Sequence, residues 1–227
     1  SDIIVNTNTE TGSKMIEELN NSSTENNLSL KVISGISEKD NTKLNTLSEN
    51  NKEQIDTLTE SAVKNAGVSQ EDADLIAQVV AEVSDEMADK LISEVTKNST
   101  DENQSLSAKV LKSIVESNPD KMETLSDENK DNMITQTIEA AKNQSEGTST
   151  NDLDLTNTIA EIISSSGAEI VSKVLKELSD ASQGAESKLS LKVVNNLTKL
   201  ENYEEKMEIL EATSSSLGNS ISELVED

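Results

Sequence analysis

The run DENKDNMITQTIE, starting at Asp127, has the spacing in this chain closest to that of a metal site. Asp127, Asn129 and Asp131 stand at the first three ligand positions of a calcium-binding loop. The rest of the pattern fails. Asn132 stands where the loop needs Gly, and Ile138 where it needs a bidentate Glu. Acids at that spacing also suit the first turn of a helix, where they complement unpaired N–H groups. The expectation is therefore no cofactor, and at most loose calcium association with an acidic surface.

Other chemistry is thinner still. The chain has no His and no Cys. That removes imidazole bases, thiol nucleophiles and the usual transition-metal ligands together. Two carboxylates among 44 acidic residues carry no signal. No GxxxxGK[ST] run occurs, and the seven Gly are scattered. A non-enzymatic protein is expected.

The 227 residues carry a net charge of −25, and all 19 basic residues are Lys. Nucleic acid needs basic patches, and anionic membrane surfaces attract them, so neither is an expected partner. No apolar run is long enough to cross a membrane. There is no Phe or Trp, and one Tyr, Tyr203. A core of Leu, Ile, Val, Met and Ala favours an extended assembly over one round globule, because aromatics bury the most area per residue.

A repeat supplies the order that the composition lacks. LSLKVISGI at Leu28 returns as LSAKVLKSI at Leu106 and LSLKVVNNL at Leu189. Shifted by 78 positions (106 − 28), residues 28–65 lie on 106–143 without a gap, and nearly half are identical. A second segment, Ile76–Val95, lies on Ile159–Leu178 at an offset of 83 (159 − 76). The extra residues fit in the Gly/Ser/Thr-rich NQSEGTSTND stretch, which reads as a loop. SKMIEEL at Ser13 matches SKVLKEL at Ser172, and KMETL at Lys121 matches KMEIL at Lys206. Calling the LSLKV segment A and the IAQVV segment B, the expected divisions are 1–27 (partial B), 28–66 (A), 67–104 (B), 105–144 (A), 145–187 (B) and 188–227 (A).

The apolar spacing gives helices. Met133, Ile134, Ile138 and Ala141 share one helical face, as do Ile55, Leu58, Ala62 and Val63. Ser48 and Ser126 stand where helix N-caps belong, and Asn118–Pro119 is a further start signal. In the B segment the apolar period is four residues, so its stripe drifts by about 40° per turn on one straight helix. A break is expected near Ser84–Asp85, and near Ser164–Ala168 in the second copy. Each B is then a helix pair and each A three helices with short links. The fold class expected is all-α: an α-solenoid of tandem repeats of about 80 residues. Half-units near 40 residues are close in length to HEAT and armadillo repeats, while tetratricopeptide and ankyrin signatures are absent.

Leu28, Val32, Ile36, Leu106, Val110, Ile114, Leu189, Val193 and Leu197 are the expected packing positions of the repeated phrase. Lys31, Lys109 and Lys192 are placed to meet carboxylates in the same or the adjoining unit, and Ser29, Ser107 and Ser190 to bond nearby backbone. The chain opens on part of a B and closes on an A. Copies of the chain are therefore the expected partners, stacked head to tail through Ile3, Ile4 and Val5 at one end and Ile221, Leu224 and Val225 at the other. The role expected is a structural subunit or module of an extracellular or cell-surface fibre. The alternative is a cytoplasmic α-solenoid scaffold that binds other proteins.

Overall fold

The computed structural model of the chain describes residues 1–22, 28–50, 57, 60, 62–63, 69–97, 104–145, 154–182 and 189–200. Among these, every regular element is an α-helix. In order they are α1 (Asp2–Asn6), α2 (Thr9–Ser22), α3 (Leu28–Lys39), α4 (Asn41–Asn50), α5 (Gln70–Glu82) and α6 (Asp85–Lys97). Then come α7 (Gln104–Ser117), α8 (Pro119–Thr124), α9 (Asp127–Ser145), α10 (Leu155–Ser165), α11 (Ala168–Ser182) and α12 (Leu189–Leu197). No helix among the described residues is long and apolar enough to cross a membrane.

Local chemistry sets the helix ends. The Ser69 hydroxyl accepts from the Asp72 N–H and donates to the Asp72 carboxylate, closing the start of α5. Asp154 does the same for α10, accepting from the N–H groups of Thr156 and Asn157. Those bonds, led by the Thr156 hydroxyl, hold the Asp154 carboxyl below the usual range. Pro119 opens α8 behind Asn118, where its missing N–H costs nothing.

The four-residue period ends in a bend, as its drift requires. α5 stops at Glu82, and α6 begins at Asp85 after extended Val83. The second copy bends at Ser166, with nearly the same backbone angles (φ −95°, ψ 156° against φ −87°, ψ 168°). A third bend, at Thr7, is also extended (φ −95°, ψ 165°) and separates α1 from α2. So α1 and α2 are separated by the same kind of bend as the two later pairs, and α1 is only five residues long. One helix start differs from expectation. α9 begins right after Ser126, but Ser48 lies inside α4. In the second copy Asp89 accepts from the Ser126 N–H. The position equivalent to Asp89 in the first copy is Ser13, whose hydroxyl donates to the Thr9 carbonyl instead.

Packing runs from neighbour to neighbour. α1 lies on α3, α3 on α5, α5 on α7, α7 on α10 and α10 on α12. Behind that row α2 lies on α4, α6 on α9 and α9 on α11. The hairpin pairs α1/α2, α5/α6, α7/α9 and α10/α11 tie the rows together. Ile33, Ile36, Leu44, Leu47, Ile76, Leu91, Ile92 and Leu111 are fully buried between them. Small Ala73, Ala88, Ala108, Ala141 and Ala160 are buried as well.

Candidate functional site

Among the described residues, the polar bonds that join successive hairpins link residues 36 to 49 positions apart (43 − 7 and 161 − 112), apart from the Leu155 N–H to Gln144 bond between α9 and α10. They recur at equivalent places. Between α3 and α5, the Ser34 hydroxyl donates to Gln78 Oε1 (3.0 Å), and Gln78 Nε2 donates to Glu38 (2.6 Å). Between α7 and α10, the residues at those three positions are Lys112, Glu161 and Glu116. Lys112 Nζ lies 2.7 Å from Glu161 and 3.9 Å from Glu116. A neutral donor and acceptor have thus been exchanged, together, for a cation and an anion. Burial works against the Lys112 charge, but Glu161, Glu116 and Asp74 more than offset it and hold the ammonium above its usual range. Burial, with Glu161 and Asp74, pushes the Glu116 carboxyl up against the pull of Lys112.

This exchange is testable as a cycle. Glu161→Gln alone strands a half-buried ammonium, and Lys112→Ser alone strands two carboxylates. Each single change is expected to cost about 1–2 kcal/mol in urea titrations. Lys112→Ser with Glu161→Gln rebuilds the first-copy arrangement, including a donor for Glu116. It should return to within about 0.5 kcal/mol of the parent. Additive costs in the double variant would show that the two contacts are not equivalent.

A second recurring bond sits at the bends. Lys43 Nζ donates to the Thr7 carbonyl (2.6 Å), and Lys121 Nζ to the Val83 carbonyl (2.8 Å) and Asp85 Oδ1 (2.8 Å). These are the same repeat position meeting the same bend. Its signal in the sequence was the shared Lys at 43, 121 and 206, of which Lys206 lies outside the described residues. In the rear row Lys130, almost wholly buried, meets Glu169 (2.9 Å) and Asp127 (3.1 Å), and Lys173 meets Asp131 (2.5 Å). Burial opposes the Lys130 charge, but the two carboxylates overcome it and raise the ammonium's affinity for its proton.

The expected packing residues Ile36, Leu106, Val110, Ile114, Leu189, Val193 and Leu197 are buried. Leu28 and Val32 are only half-buried, and the contacts of α1 with α3 fall further along, at Gly35 and Lys39. Lys31 meets Glu71 of the adjoining hairpin at 3.4 Å. Lys109 is held below the usual lysine range by burial. The Ser107 hydroxyl donates to Gln136 of α9. Ile4 is buried, Val5 is half-buried and Ile3 is 67% exposed. Ile221, Leu224 and Val225 lie outside the described residues. The calcium-spaced trio does not converge: Asp127 turns to Lys130, Asn129 to Asp89 and Asp131 to Lys173. Among the described residues no group of His, Cys, Asp and Glu is arranged to hold a metal. No protein-family model matches this chain, and neither a curated protein nor a solved structure is significantly similar to it.

Proposed function

We propose that the chain is a non-enzymatic structural repeat protein, an α-solenoid that works as a subunit or module of an extracellular or cell-surface fibre and lengthens end to end. The observation that carries this reading is the recurrence of Ser34–Gln78–Glu38 as Lys112–Glu161–Glu116. One interface has been used twice, with coordinated exchange of its polar groups. An interface of that kind is heterologous: its two sides differ, so repeating it between chains gives no two-fold dimer but a filament wherever the rotation does not close into a ring. The charge of −25 opposes side-by-side association, which favours growth along the array.

Electron microscopy of the purified chain over a range of concentration, salt and calcium tests this. Thin rods whose lengths are multiples of one unit are expected. Single particles of one length under every condition would remove the proposal.

A further inference from the structure

Among the described residues, α1 and α12 each have a row neighbour on one side only. Ile3 is the exposed large apolar side chain among the described residues. Aligning the bends at Thr7, Val83 and Ser166 puts Ile3 on Val79 of α5 and Ile162 of α10. Both of those are buried, each on a helix covered from two sides by its row neighbours.

At the other end, α12 and the turn that follows it carry Val194, Asn195 and Thr198 where α3 has Ile33, Ser34 and Ser37 and α7 has Leu111, Lys112 and Val115. On α3 all three are buried, and on α7 two are buried and Lys112 half-buried. On α12 Val194 is only half-buried and Asn195 is exposed, as is Thr198 in the turn after it. An A-type flank that α5 and α10 cover elsewhere is therefore open here, and its apolar and small polar make-up is that of α3.

From these two observations, and resting on the end-to-end reading, we infer that α1 of a second copy docks on the open flank of α12 in the register that α5 takes on α3. Ile3 of one chain then lies against Val194 of the other. Asp2, which aligns with Gln78 and Glu161, comes to the side carrying Asn195 and Lys199. Glu10 and Lys14 of α2 align with Glu169 and Lys173 of α11, which hold α11 to α9. Within one chain Glu10 and Lys14 pair with each other at the surface (2.8 Å).

The absence of Cys makes this register testable in the full chain. Ile3→Cys and Val194→Cys chains, mixed and mildly oxidised, should give mixed disulfide dimers well above either homodimer. Ile3→Glu should weaken association at least tenfold by light scattering and leave the thermal midpoint of the unassembled chain unchanged. Rods that form with no preference for the mixed disulfide would overturn this register and leave end-to-end growth standing. Neither rods nor mixed disulfide, at any concentration, would overturn both.

Discussion

Leu111→Ala is expected to cost about 3–4 kcal/mol and to split one unfolding transition into two. Leu111 is fully buried on α7, which packs on α5, α9 and α10. Truncation removes the apolar contacts and leaves a cavity that a close-packed interior fills only in part. The split follows from the packing order. In an array of neighbour contacts, coupling between the two halves passes through the middle helices. Weakening α7 loosens the N-terminal hairpins from the C-terminal ones. Urea unfolding followed by hydrogen exchange in α3 and in α10 reads both effects. A single shared transition with a loss below about 1 kcal/mol would show that α7 is not the link.

Lys121→Met is expected to cost about 3 kcal/mol, the second largest effect. The methionine keeps most of the stem's bulk but withdraws the charged donor from the carbonyl of Val83, the residue that caps the C-terminus of α5. A buried bond to a charged group contributes about 1.5–3 kcal/mol, and stranding its acceptor adds to the loss. Lys43→Met, with one carbonyl bond at a half-buried site, should cost less. The pH dependence has a definite sign. Lys121 and Thr124 hold the Asp85 carboxyl below its usual range. A depressed carboxyl stabilises the fold above its ordinary value near pH 4, and that contribution is lost as pH falls through the folded value. In acid the parent therefore loses the Asp85 share and keeps the carbonyl bond. The deficit of Lys121→Met should narrow below about pH 4 and not vanish. A deficit that is the same at pH 7 and pH 3 would mean that Asp85 takes no part.

The parts of this architecture that were legible in the sequence are those set by period and by backbone chemistry. The drift of a four-residue apolar stripe predicted the bends beside Ser84 and Ser166, and Pro119 marked the start of α8. The repeat offset placed Leu106, Val110 and Ile114 inward, as found. Lys31 meets the adjoining hairpin as its position suggested. Contacts set by reach were not legible. Nothing local to Lys121 says that its ammonium crosses to a carbonyl 38 residues back. Ser48 looks like Ser126 in its own surroundings, and the difference lies across the interface, at Asp89 and Ser13. The sequence presents Ile3, Ile4 and Val5 as one apolar docking segment. The helix turns Ile4 onto its own chain and leaves Ile3 open. The paired exchange of Ser34 and Gln78 for Lys112 and Glu161 was present in the two copies, but only a three-dimensional contact says which positions to compare.

The spacing of the bonds between hairpins bears on how the chain is made. None of the bonds described above joins residues more than 49 positions apart (161 − 112), so no distant end has to be brought back. The entropy of closing a loop grows with its length, and among these bonds no closure is longer than that between Lys112 and Glu161. A chain emerging from the ribosome can complete each hairpin against the one before it once about forty more residues have appeared. Adding copies of the repeat would lengthen the product without adding a slower closure.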